Sequence, residues 1–311
     1  MDDAGNTMLR NLSKWGIIGL ALSGLTIIHS FPAEAATEAA PKNNNGYVDK
    51  LLAEILHRTD APDAAKLKIS KRPALSRDRR LLELISGEII EYDAIGTKPS
   101  WEENLLTIRI PLRKGLQGYR LFFINESSQA ELDKAETLED FKKFSTGSGA
   151  QWSTTPQLQA AGFNVVEGDN KAGLMKMLAA DRFKTFGRGI DEIYHEYHNA
   201  KADYPDLAIE NSIALYIPHP TYIFVTPKRP DLAARLETGL KAMIADGSFD
   251  TLFWEFFEDD IQRANLHQRK IFRIANPELS AATPFENDSL WFDPEDTPEN
   301  STPAAAEPQS N

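Results

Sequence analysis

Two arginines and a glycine-rich loop carry the residue types suited to gripping a small anion. Arg109 stands in the apolar run from Leu106 to Ile110, where strand alternation turns it away from Ile108 and Ile110. Arg188 sits between Gly187 and Gly189 where a helical pattern begins. A guanidinium offers a planar fork of donors that matches a carboxylate. Glu192 follows Arg188 by one helical turn, so a structural ion pair is the competing reading. Arg109, Arg188 and Glu192 are all carried as ligand-binding candidates. Gly147, Ser148 and Gly149 lead through Trp152 to Thr155-Pro156, an N-cap residue followed by proline at the first helical position. Free backbone N–H groups and the helix dipole at such a turn favour a carboxylate or phosphate, and Trp152 is placed to stack on a ligand. Ser148, Gly149 and Trp152 join the candidates, against the alternative of an ordinary strand-to-helix turn with a packed tryptophan. Trp101, Tyr216 and Tyr222 suit an aromatic cleft, although aromatic residues on strands commonly belong to a core.

Other chemistries find less support. His195 and His198, with Asp191, share one helical face, but the pair is one residue short of the H-E-x-x-H metalloprotease spacing. A solvent-facing histidine pair is the expectation, with metal-dependent hydrolysis as a minor alternative. G-x-S-x-G, P-loop and G-x-G-x-x-G motifs are absent, and without cysteine there is no thiolate catalysis. The expectation is a non-catalytic protein that uses no cofactor and no metal.

The elements that position these residues alternate between helix and short apolar strand. Helical patterns cover 47–57, 76–86 (capped by Ser76, closed by Gly87), 170–179, 190–200, 230–245 and 249–257, and a capping-box start stands at Thr137. Strand patterns cover 89–92, 106–110, 119–124, the segments around Phe144 and Phe163, 183–186, 211–217 and 221–226. This alternation argues for an α/β architecture with largely parallel sheets.

The N-terminal part is read as a cleavable export signal over residues 1–35. Arg10 and Lys14 precede an apolar run from Trp15 to Phe31, and Ala33 and Ala35 supply the small residues of a cleavage site. Met8 gives a cleaner start than Met1, because Asp2 and Asp3 are unusual in such a flank. Residues 36–45 are a polar linker, and 283–311 are expected to be a disordered acidic, proline-rich tail from which Trp291 and Phe292 stand out as the residues able to dock. The net charge is −12 over 311 residues. That field disfavours nucleic acid and anionic lipid as partners.

From residue 105 to 278 the chain resembles the solute-binding proteins of amino-acid-type ABC transporters, family 3 of the type II periplasmic-binding-protein fold. The residues that carry the resemblance are Ile108 to Pro111 with Lys114 to Arg120; the helix start at Thr137; Gly147 to Trp152 with Ala161 to Phe163; Leu178 to Phe183; Arg188 to Ile193; and Gly239-Leu240 with Ala245 to Asp250. The resemblance implies two α/β lobes, lobe one at 46–118 plus 226–280 and lobe two at 120–220, with hinge strands near 119–124 and 221–226. It implies a small-molecule ligand in the cleft, an ABC permease or membrane receptor as partner, and a periplasmic protein not inserted in a membrane after cleavage. Members open with a strand before their first helix, and none is seen before Tyr47. Members that bind amino acids place an arginine after a threonine or serine to grip the α-carboxylate; in Thr97 to Glu102 that place falls to Trp101, which is carried as a ligand-binding candidate. The leading expectation is a periplasmic solute-binding protein for a small polar, anionic or amino-acid-like metabolite. The alternative is a degenerate binding fold that acts as an envelope protein-interaction module.

Overall fold

Tyr47, Val48, Leu51, Leu52 and Ile55 fall on one face at helical spacing, and all five are buried. They drive the first helix, α1 (Asn44–Arg58), against two helices from the far end of the chain. The computed structural model describes residues 44–59 and 75–298. The export signal, most of the linker and residues 299–311 lie outside the described residues. Helix α2 (Arg77–Ser86) starts at Ser76, whose side chain accepts from Arg79 N, and ends at Gly87 with φ 61°. Strand β1 (Tyr92–Gly96), helix α3 (Pro99–Asn104) and strand β2 (Leu106–Ile108) follow. The first strand begins later than the apolar pattern at 89–92 suggests, and Ile89 is exposed, because the run of buried backbone pairing opens only at Tyr92.

The chain then crosses into a second lobe. It forms β3 (Tyr119–Asn125), α4 (Gln129–Leu132), α5 (Leu138–Phe141), β4 (Thr146–Gly149), α6 (Thr154–Ala160), β5 (Val165–Gly168), α7 (Lys171–Ala179), β6 (Thr185–Gly189), α8 (Ile190–Ala200), β7 (Leu207–Ile209) and β8 (Ile213–Tyr216). It crosses back to form β9 (Thr221–Val225), α9 (Pro230–Ala245) and α10 (Ser248–Ala264), and ends its regular structure with β10 (Lys270–Arg273).

Two sheets result. The smaller has the order β1-β9-β2, with β9 antiparallel to both neighbours. The larger runs β10-β8-β3-β6-β4-β5, with β7 also on β3. Its pairs β10–β8, β4–β5 and β4–β6 are parallel, whereas β3 runs antiparallel to β6, β7 and β8. The protein is thus a two-lobed α/β fold in which a strand made late in the sequence inserts between two made early. Among the described residues no strand precedes α1, and the small sheet holds three strands.

The two crossings lie side by side. Ile217 N donates to Gly118 O at 2.9 Å, and Leu112 N donates to Thr221 O at 3.0 Å. The strands expected as hinges begin at these crossings, and each belongs to one sheet. The first crossing is anchored beneath by a buried ion pair, Lys114 Nζ to Asp250 Oδ1 of α10 at 2.6 Å, and by Tyr47 OH donating to Leu112 O at 2.5 Å.

Two expectations are corrected in the C-terminal part. The stretch 226–280 does not stay with the small sheet, since β10 pairs with β8 of the larger one. Nor is 283–298 disordered. Leu290 and Phe292 are buried, and Phe292 packs against Phe253 and Trp254 of α10 and against Tyr119. Phe292 N donates to Lys114 O at 2.7 Å, Asn276 Nδ2 donates to Pro218 O at 2.8 Å, and Trp291 lies over Gly115. The few apolar residues of this segment are placed to fill the gap over the crossings, which average composition conceals. Residues 276–292 therefore bond to both crossings.

Candidate functional site

A cleft of about 700 Å³ lies where the two lobes meet, within the usual range for small-molecule sites. Its smaller-lobe wall comes from Arg77 and Arg80 of α2 and from β1; its larger-lobe wall comes from Arg120 of β3, Gln151 to Thr154, and Arg188, Asp191 and Glu192. The floor is the crossings themselves, with Arg113, Gln117, His219 and Thr221. Helical spacing puts Arg77 and Arg80 on one face of α2. Strand alternation turns Arg120 out of the core while Tyr119 and Leu121 are buried.

Three of the five arginines are matched by carboxylates. Arg80 Nη1 donates to Asp93 at 2.7 Å, and Arg113 Nη1 donates to Asp191 at 3.0 Å. Arg188 donates through Nε and Nη2 to Glu196 at 2.7 and 2.8 Å and pairs with Glu192 at 3.1 Å. Burial works against the charge of Arg188, but Glu192 and Glu196 outweigh it and raise its pKa. Burial likewise pushes Asp191 up, against the pull of Arg113. Arg77 and Arg120 are different. Arg77 Nη2 donates to Gly96 O at 2.6 Å, and Arg120 donates to Gly187 O and Gln117 O at 3.1 and 3.4 Å. Among the described residues neither makes an ion pair. Burial lowers the pKa of both, although a guanidinium stays protonated in a protein.

His219 stands at the centre of the floor between Pro218 and Pro220. Its carbonyl accepts from Gln117 Nε2 at 2.6 Å, and Thr221 Oγ1 donates to Gln117 Oε1 at 2.7 Å. The ring Nε2 meets Ser153 Oγ at 3.1 Å, a bond that joins the second crossing to the larger lobe. Burial, then the fields of Arg77, Arg120 and Lys98, push the imidazole pKa down to about 3. The ring is therefore neutral at physiological pH. It fits because residue 96 is glycine: a Cβ there would stand 2.4 Å from Nε2. Three buried nitrogens at this site have no hydrogen-bond partner: Arg77 Nε, Arg113 Nε and His219 Nδ1.

Of the residues singled out from the sequence, Trp152, Arg188 and Glu192 line the cleft. The Arg188 guanidinium lies over the Trp152 ring at 4.8 Å from its centroid, and Trp152 stacks on Phe186. The ion pair of Arg188 with Glu192 exists together with cleft exposure, and Glu196 completes it. Four candidates lie elsewhere. Trp101 is 1% exposed and packs edge-on against Phe224, with the Arg77 guanidinium 5.7 Å from its ring centroid, so it backs Arg77 from the core. Arg109 follows the end of β2, is not among the residues that line the cleft, and pairs with Glu102 at 3.0 Å. Ser148 is buried, with its hydroxyl 2.7 Å from Thr155 Oγ1. Gly149 lies under the Trp152 indole, where a Cβ would stand 2.5 Å from the ring. The loop thus places Trp152, Ser153 and Thr154 at the cleft, while Ser148 and Gly149 are the last two residues of β4. Tyr216 and Tyr222 also pack away from the cleft, beside Tyr119 and Phe224. His195 and His198 are exposed on α8, and His195 Nε2 meets Asn199 Nδ2 at 3.0 Å. Among the described residues no group of three or more His, Asp or Glu gathers for a metal.

Sequence reading missed Arg77, Arg80, Arg113, Arg120, Asp93 and His219. Signals existed for some: Arg113 precedes the Lys114 to Arg120 motif and Arg120 ends it, and a histidine between two prolines fixes an unusual backbone. Nothing in sequence ties Arg77 to these residues.

No protein-family model matches the chain, and no curated protein does. Solved structures do. An ancestral arginine-binding protein bound to arginine is 17% identical, covers 70% of this chain and 91% of its own, and has a TM-score of 0.48. The substrate binding protein of an amino acid ABC transporter is 12% identical, with coverage of 68% and 88% and a TM-score of 0.45. A histidine kinase sensor domain with similarity to periplasmic binding proteins is 15% identical, with coverage of 69% and 88% and a TM-score of 0.44.

Proposed function

We propose that this protein captures a small polar metabolite, anionic or amino-acid-like, in the cleft between its lobes and presents it to a transporter or receptor. The observation that carries this reading is the arginine-lined cleft, walled by both lobes and floored by their crossings, with buried donors left open to a ligand. Lobes joined by two neighbouring crossings are built to close around what binds between them. The pattern from Arg10 to Ala35 supports export to a periplasm, where such a protein would meet its ligand. Among the described residues no helix is long and apolar enough to cross a membrane.

The test is calorimetric titration of the purified protein against a panel of amino acids and organic acids, with small-angle scattering before and after addition. A binder that makes the particle more compact supports the reading. A broad panel without a binder overturns it. A second reading, an interaction module of fixed shape, draws on the bonds that residues 276–292 make to both crossings. Scattering that never changes, together with capture of an envelope protein and no small-molecule binder, would favour it.

A further inference from the structure

The charge inventory of the cleft goes further than its size. An α-amino acid brings an ammonium group that needs a carboxylate to receive it. Each carboxylate at the cleft is already engaged: Asp93 by Arg80 and by Ala94 N at 2.8 Å, Asp191 by Arg113, and Glu192 by Arg188 and by Gly189 N at 3.2 Å. Diverting one to an ammonium would leave a buried guanidinium without its partner, which is costly. Asp191 Oδ1 makes no hydrogen bond, but the charge of that carboxylate is met by Arg113 through Oδ2 at 3.0 Å. The other open groups are donors. Arg77, from the smaller lobe, and Arg120, from the larger, hold carbonyl oxygens alone, and Arg77 Nε and Arg113 Nε are buried donors with no acceptor. His219, neutral, stands in the floor with Nδ1 free for one further hydrogen bond and puts no charge beside the two arginines.

We infer that the ligand is an organic dianion without an ammonium group, a dicarboxylate, with one carboxylate taken by Arg77 and the other by Arg120. The inference rests on the binding-protein reading above and narrows it. It also gives the arginines a role in closure, since one ligand bridging a guanidinium on each lobe stabilises the closed form over the open one. Trp101 then acts as a positioning residue that holds Arg77 from behind.

The experiment pairs compounds that differ by one group. Isothermal titration of the full chain compares glutarate with glutamate and succinate with aspartate, which differ only in the α-amino group. Butyrate, with a single carboxylate, and inorganic phosphate, a compact dianion, complete the set. The expected result is that glutarate or succinate binds at least about tenfold more tightly than its amino counterpart, butyrate and phosphate, a gap of about 1.4 kcal/mol. Arg77→Gln and Arg120→Gln should each weaken that binding by about tenfold or more, and Arg77→Lys and Arg120→Lys should restore part of it. Circular dichroism of each variant separates lost binding from lost folding. An amino acid that binds as tightly as its deaminated partner overturns the inference and leaves the binding-protein reading standing, as does phosphate outbinding both dicarboxylates. If neither this set nor the wider panel yields a binder, the reading itself fails.

Discussion

Lowering the pH should destabilise this protein through one imidazole, and the size of the effect follows from where His219 sits. Burial between Arg77, Arg120 and Lys98 takes its pKa from 6.5 down to about 3 in the folded chain. Above pH 6.5 the ring is neutral in both folded and unfolded states and contributes nothing to the difference. Below 6.5 the unfolded chain binds a proton that the folded chain refuses until pH approaches 3. Stability present at neutral pH is therefore lost from pH 6.5 downward, and the loss levels off near pH 3. Between pH 7 and pH 5 the loss is about 2 kcal/mol, taking 1.36 kcal/mol for each factor of ten in proton affinity. Asp260 runs the other way. Burial, then the Asp191 charge, raises its pKa to about 6, so the folded state gains as pH falls through that value. The assay must therefore be differential. Urea unfolding, followed by tryptophan fluorescence at pH 7 and pH 5, is compared between the native chain and His219→Gln, in which the Asp260 contribution cancels. Glutamine retains a hydrogen-bonding group for Ser153 and does not titrate. The stability gap between the two proteins should shrink, or reverse, by about 2 kcal/mol at pH 5. A gap that stays constant to within about 0.5 kcal/mol, near the error of such extrapolations, would refute the placement of His219 among those cations.

Other substitutions probe the frame around the cleft. Asp250→Asn leaves Lys114 buried without a countercharge and should cost about 3–5 kcal/mol in urea unfolding, far more than a surface pair would. Phe292→Ala should cost about 3 kcal/mol by the same measurement, because its ring fills the space between Tyr119, Phe253 and Trp254; a disordered tail would register no change. Arg109→Ala takes the countercharge from the buried Glu102 carboxylate, which keeps the Thr97 and Ser280 hydroxyls as donors, and should cost about 1–3 kcal/mol of stability, with ligand affinity in calorimetry unchanged. Gly96→Val should weaken ligand binding, since its side chain would meet the His219 ring and push it from the floor; binding equal to that of the native chain would contradict the close packing there.

Much of the local structure was legible because it is written in local patterns. Ser76 and Gly87 bracket α2, Thr137 opens α5 with its capping box, and the apolar spacing of 47–57 and 230–245 marks α1 and α9. A cap or a helical face is decided within a few residues, so the sequence carries it whole. Legibility fell where a segment is short or its partner distant. Helix α3 has six residues and β7 has three, too few to show a period. Strand β10 is defined by its pairing with β8, more than fifty residues earlier. The docking of the tail depends on a gap above the crossings that no local composition reveals.

The candidate site divides along the same line. Residue type and spacing, taken together with the resemblance, picked out Trp152, Arg188 and Glu192, because a glycine-rich strand-to-helix turn and an arginine one turn from a glutamate are local signatures. Local reasoning could not say which way Arg109 faces: alternation separates it from its neighbours, but only the sheet decides whether the far side is cleft or outer surface. Nor could it assemble Arg77, Arg120 and His219, which come from a helix of one lobe, a strand of the other and the second crossing. Their meeting depends on β9, which follows β3 to β8 in the chain, inserting between β1 and β2, a long-range pairing that brings the two crossings side by side. The charge pattern that selects a ligand is fixed by that pairing, because whether an arginine is matched or unmatched is a property of its neighbours in space.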